Sequence, residues 1–176
     1  AQIQEPTNVG KVLVVGPGGG KMLAPDKPAI AAWLKQGGRV VAVALEADEA
    51  RSFLPIQVET RKEEHIATFF DPPACASVFA GLGPADVHNR DPRVVPLISA
   101  GAEKIGDGVL AVAEDGRVVF CQLAPWQFNA QQQNTKRTFR RTSSLLARVL
   151  GNLGVASQTP LLSRFSKPLA LGTAQP

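Results

Sequence analysis

Two continuous apolar runs joined by one helix-length segment constrain this chain more than any other feature. Lys11–Val15 (KVLVV) is apolar on both faces and ends abruptly in Gly16-Pro17-Gly18-Gly19-Gly20. A strand without a polar face has to be covered on both sides, as central parallel strands are covered by helices. Pro25 and Pro28 stand as at a helix start, with Asp26 as the cap. Ala29, Ile30, Trp33 and Leu34 follow at helical spacing, and Gly37-Gly38 closes the helix. Arg39–Leu45 (RVVAVAL) is the second apolar run. The order is β-α-β with a short crossover, which predicts a parallel pair with a right-handed connection.

The middle of the chain is less regular. Asp48–Phe53 fits a short helix, and Glu63–Phe70 leads into a third strand or a loop. Turns are expected at 71–73 (DPP) and 81–84 (GLGP). Asp86–Pro96 (DVHNRDPRVVP) is polar, carries two prolines and reads as a functional or interface loop. Val109–Ala113, Glu114-Asp115-Gly116 and Arg117–Leu123 form a hairpin pattern, two β-rich runs around a DG turn. Pro125–Phe128 leaves the second strand, and Asn129–Asn134 is an amide-rich connector. Phe139, Leu146, Val149, Leu150 and Leu153 recur at helical spacing, and Gly151 or Gly154 ends the helix.

These elements predict an α/β fold with a mostly parallel central sheet, a β-hairpin and a C-terminal amphipathic helix. A length of 176 residues suits one domain. Residues 1–10 form a polar lead-in, 11–156 the domain, and 157–176 a Pro/Ser/Leu-rich tail or linker that packs on a neighbour or is loose. The hydrophobic fraction of 44% excludes a wholly disordered chain. No apolar run approaches the ~18 residues of a membrane helix, so no membrane span is expected. No signal-peptide pattern opens the chain, which leaves the compartment unassigned.

Charge is unevenly spread. Residues 1–115 hold all 15 acidic residues and 11 basic ones. Residues 116–176 hold eight basic residues and no acid, and five of those eight lie on the expected C-terminal helix. They crowd its start, the end where the macrodipole prefers acids. Nucleic acid is attracted to a patch such as Lys136–Arg141 (KRTFRR), but Phe139 opens the apolar stripe and no nucleic-acid motif accompanies it. The expectation is no nucleic-acid binding, with the oppositely charged portions facing each other or a neighbouring domain.

Several residues carry possible chemistry. The loop from Gly16 to Lys21 offers Gly18, Gly19 and Lys21 as anion contacts. It departs from the P-loop, with three residues between Gly16 and Gly20 and Met22 after Lys21, so a tight β-to-α turn is favoured over a ligand loop. His65, after Glu63-Glu64, reads as a solvated residue. Asp86, His88 and Arg90, beside Asp91, form a cluster suited to a polar ligand or to acid–base work, or to stitching the loop down. Trp126 is placed either to stack on a sugar ring or to be buried at the strand end. Cys75 and Cys121 make neither a disulfide framework nor a zinc site, and Cys121 within VVFCQL reads as a core residue. No metal or other cofactor is implied. No GxSxG or GxCxG elbow presents a nucleophile.

The opening β-Gly-rich turn-α-β resembles the flavodoxin-like core of class I glutamine amidotransferase-like domains. GLGPADVHNRDP (Gly81 to Pro92), GDGVLAV (Gly106 to Val112), VVFCQLAPWQF (Val118 to Phe128) and NTKRTFRRTSSLLARVLGNLGV (Asn134 to Val155) resemble a module of large bacterial multidomain proteins related to β-galactosidase-type glycoside hydrolases. The resemblance covers roughly 11–165 and implies a three-layer α/β sandwich. Amidotransferases need an elbow Cys with His and Glu downstream; Cys75 lies in PPACAS, Cys121 lies in a strand, and no His follows His88. No catalytic residue is therefore carried over.

The resemblance implies a non-catalytic accessory domain of a glycoside hydrolase-like protein involved in carbohydrate metabolism, extracytoplasmic within a larger secreted or periplasmic chain. Its partners would be neighbouring domains, a second copy of itself or a carbohydrate. The alternative is a small-ligand module for a sugar or anionic metabolite, sited at the carboxyl ends of the parallel strands. A hydrolase with an unrecognised site is the third expectation.

Overall fold

The computed structural model describes residues 11–155. The lead-in 1–10 and the tail 157–176 lie outside the described residues. The fold is mixed α/β. β1 (Val12–Val15) leads through a single helical turn, α1 (Gly19–Met22), and a 3₁₀ turn (Ala24–Asp26) into α2 (Lys27–Lys35). β2 (Arg39–Val43), α3 (Ala47–Phe53) and β3 (Glu59–His65) follow. A 3₁₀ turn at Pro84–Val87 precedes β4 (Arg93–Ala100), β5 (Glu103–Ile105), β6 (Leu110–Ala113) and β7 (Val118–Cys121). A further 3₁₀ turn (Pro125–Gln127) leads to α4 (Lys136–Asn152).

Five strands form one sheet in the order β1-β2-β7-β6-β5, while β3 and β4 form a separate antiparallel ribbon. β1 and β2 are parallel with Val12 opposite Arg39, and β2 and β7 are parallel with Val40 opposite Val118. β7-β6 and β6-β5 are antiparallel. The expected β-α-β unit and DG hairpin are both present. Glu114, Asp115 and Gly116 take φ of 52, 54 and 80° at the hairpin turn, the left-handed geometry that suits a tight reversal.

Alternation along the sheet divides the core in two. Val40, Ala42, Val118 and Phe120 pack with Ile30 and Leu34 of α2 and Ala50 and Phe53 of α3. Val41, Val43, Val119 and Cys121 pack with Leu145 and Val149 of α4, and with Leu153, Phe79 and Val87. α4 therefore covers the face opposite to α2 and α3.

Four expectations are corrected. β1 is an edge strand, not a central one, and Val14 is 47% exposed. The central strand covered on both faces is β2. The second half of the Asp86–Pro96 segment is not loop but the start of β4, with Pro96 opposite Lys62. A proline is accepted there because the ribbon has only two strands. β3 (ETRKEEH) is exposed on both faces except at half-buried Thr60 and buried His65, so no apolar period marked it. The deepest residues of α4 are Thr138, Thr142, Leu145 and Val149, with Phe139 only half-buried.

Candidate functional site

The carboxyl end of the parallel strands is where α/β sheets usually bind ligands. The glycine turn lies there, and its geometry is closed from within. Gly18 takes φ 88°, and a Cβ there would point into open space. Gly20 N–H donates to Glu49 Oε1 at 3.1 Å. Ser52 Oγ donates to the Gly20 carbonyl at 2.9 Å. A Cβ on Gly20 would stand 2.6 Å from Glu49 Cγ and 2.7 Å from the Glu49 carbonyl oxygen. Gly20 is thus a packing glycine between α1 and α3, and the carboxylate of this chain occupies the place of an external anion. Lys21 projects into solvent. Trp126 stands over the turn, 3.6 Å from where a Cβ of Gly16 would lie, and is 57% exposed. Its expected burial at the strand end is corrected: more than half of the residue is exposed.

The polar loop is built differently. Asp86 Oδ2 accepts Gly83 N–H at 2.8 Å and caps the 3₁₀ turn at Pro84–Val87. Arg141 of α4 donates to the His88 carbonyl at 2.6 Å and approaches its Nδ1 at 3.2 Å. A basic residue near the start of α4 opposes the dipole, but here it holds a loop carbonyl. Arg90 and Asp91 line a cleft of about 450 Å³ with Gln133 and Asn134. Asp91 pairs with Arg93 at 2.7 Å, and the Arg93 guanidinium lies 5.8 Å from the centre of the Phe128 ring. Asn89, between His88 and Arg90, is fully buried, and its amide has no partner among the described residues.

His65 is not solvated, as expected from its acidic neighbours, but buried at 1% exposure. Its Nδ1 meets Asp107 Oδ2 at 2.7 Å and its Nε2 meets the Val87 carbonyl at 2.7 Å. Both partners are acceptors, so the ring satisfies both at once only when both its nitrogens carry a proton. Burial pulls its pKa down, but the Asp107 bond, the Val87 carbonyl and the Asp107 charge outweigh this and hold it above the ordinary 6.5. Asp107 reaches it because Gly108 takes φ 97° with its α-carbon against the Ile98 carbonyl, where a Cβ would sit 2.0 Å from the oxygen.

Cys121 is buried, its thiol pushed up to about 12 by desolvation, which makes it a core residue and no nucleophile. Cys75 is exposed. Among the described residues no hydrogen bond or ion pair joins Gly18, Gly19 or Lys21 to Asp86, His88 or Arg90. The two groups of candidates form two places rather than one site. Glu49 and Arg141 escaped the sequence reading, since each acts through a partner distant in the chain, and so did the contact of Arg93 with the distant Phe128 ring. Among the described residues no helix is long and apolar enough to cross a membrane. Comparison with protein-family models, curated proteins and solved structures yields no match.

Proposed function

We propose that this chain is a non-catalytic accessory α/β domain of a glycoside hydrolase-like protein, acting by packing on neighbouring domains of one polypeptide. The observation that carries this reading is the Gly20–Glu49 bond, which spends the turn's ligand-facing N–H inside the fold. The two histidines are used in the same way, His65 as a brace and His88 as an anchor for Arg141. The layered part of the expected fold, helices on either side of one sheet, is supported by the two cores on its opposite faces. Ile66 and Phe69, which follow β3, and Val94 of β4 are exposed large apolar side chains, suited to cover by an apolar face of a neighbouring domain. The chain should turn over neither aryl glycosides nor glutamine. Turnover of either, abolished by Asp86→Asn or His88→Ala, would overturn the proposal.

A second reading, a small-ligand module for a sugar or anionic metabolite, is favoured by the polar cleft lined by Arg90, Asp91, Gln133 and Asn134. Thermal-shift measurement against sugars and phosphates separates the two. A ligand at 100 times its Kd adds about 2.7 kcal/mol, whereas no shift across the panel supports the accessory role.

A further inference from the structure

α4 has two unlike faces. Thr138, Thr142, Leu145 and Val149 form its buried arc. At 100° per residue, Lys136, Arg137, Arg140, Ser144 and Arg148 share the opposite arc, about 120° wide, and all five are exposed. One helix face thus carries four cations over a length of about 18 Å. No acid lies on the helix.

Among the described residues no ion pair answers this charge. The acids pair with cations of other elements: Asp48 and Glu59 with Arg51, Glu46 with Lys62, Asp91 with Arg93. The face also works against itself. Lys136 stands four residues before Arg140, and Arg137 stands three before it; like charges at these spacings repel. Lys136 and Arg137 occupy the first turn, where the backbone N–H groups already form the positive end of the helix dipole. An anionic surface laid along the face relieves both costs at once.

We infer that the outer face of α4 docks an acidic face of a partner protein domain, with Lys136, Arg137, Arg140 and Arg148 meeting a row of its carboxylates. Three of the four cations are arginines, whose planar forks take carboxylates bidentately. A lipid surface fits less well, because the apolar arc that would enter it is already buried in this fold. A nucleic acid also fits less well. A polyanion running past the helix meets residues 11–115, which hold 14 acids against 11 cations, whereas an acidic patch of about 18 Å ends where the basic face ends. The inference deepens the accessory reading, on which it rests for the partner being a protein domain, by giving that neighbour its chemistry.

The test is fluorescence anisotropy of a labelled deca-glutamate peptide with the full chain, at about 50 mM salt, where exposed charges are only partly screened. The unaltered chain is expected to bind. Full-chain Arg137→Ser/Arg140→Ser/Arg148→Ser is expected to bind at least about fivefold more weakly. Lys21→Ser/Lys35→Ser/Lys104→Ser removes as much charge from exposed positions elsewhere and should stay within about twofold of the unaltered chain. Ser144→Glu sets an acid between Arg140 and Arg148 and should also weaken binding, which keeps the test decisive should the first triple variant not fold. Absence of peptide binding, or equal losses in the two triple variants, overturns the inference. Tighter binding of a ten-nucleotide single-stranded DNA than of the peptide also overturns it, because the partner would then be a nucleic acid. Turnover is read separately: a chain that binds the peptide and cleaves a substrate loses the accessory role alone, and a chain that does neither loses this docking face alone.

Discussion

His65 and Asp107 lie 42 residues apart and meet through a 2.7 Å bond that ties the β3-β4 ribbon to the β5-β6 turn. Through its other nitrogen the same ring holds the Val87 carbonyl, so one imidazole ring joins three segments. Asp107→Ala leaves a buried charged ring without its counter-ion and is expected to cost about 2–4 kcal/mol in chemical denaturation.

The same pair sets a pH dependence. The folded state raises the His65 pKa above 6.5, so the fold binds a proton more tightly than the unfolded chain. Its contribution is whole below about pH 6.5 and is lost as pH rises through the higher folded value. Denaturation midpoints measured between pH 6 and 9 should fall over that window, and His65→Gln should flatten the profile.

Gly20→Ala places a methyl group against Glu49 and Phe53, and the nearest atoms include a backbone oxygen that has no rotamer to escape into. A loss of about 1–3 kcal/mol is expected. The unaltered chain should show no melting shift with inorganic phosphate, since Glu49 holds the Gly20 N–H. A phosphate-induced shift abolished by Lys21→Ala would show that the turn binds anions after all.

Arg141→Ala removes the donor to the His88 carbonyl and is expected to cost about 1.5–3 kcal/mol, with amide chemical shifts changing across 86–91. Arg141→Lys should recover little, because a point charge cannot reproduce the guanidinium's simultaneous reach to the carbonyl and Nδ1.

The thiols give a direct reading of burial. Cys75 is exposed and Cys121 buried, with its thiol held near 12. Alkylation followed by mass spectrometry should add one group to the native protein and two to the unfolded one.

Much of this architecture was legible where residues act locally. KVLVV, RVVAVAL and the DG hairpin each carry their own period or turn chemistry, and all three became strands. What β1 could not reveal was its position, since apolarity on both faces marks either a sheet centre or an edge awaiting cover. β3 was illegible because ETRKEEH has no apolar period; it is held by pairing with β4 and by ion pairs such as Lys62–Glu46 at 2.8 Å. His65 was misread for the same reason, its burial being decided by Asp107 and Val87 rather than by the glutamates beside it. The basic start of α4 promised contact with acids, yet among the described residues its arginine Arg141 meets a carbonyl instead.

β7 has a double role whose consequence is kinetic. It pairs with β6 across a four-residue turn and with β2 at long range, Val40 opposite Val118. Local pairings close early because they cost little loop entropy, and distant parallel ones close late. The hairpin is therefore expected to assemble first and to offer β7 as the surface on which the amino-terminal half condenses. Substitutions at Val119 should then slow folding, whereas those at Leu13 should chiefly hasten unfolding.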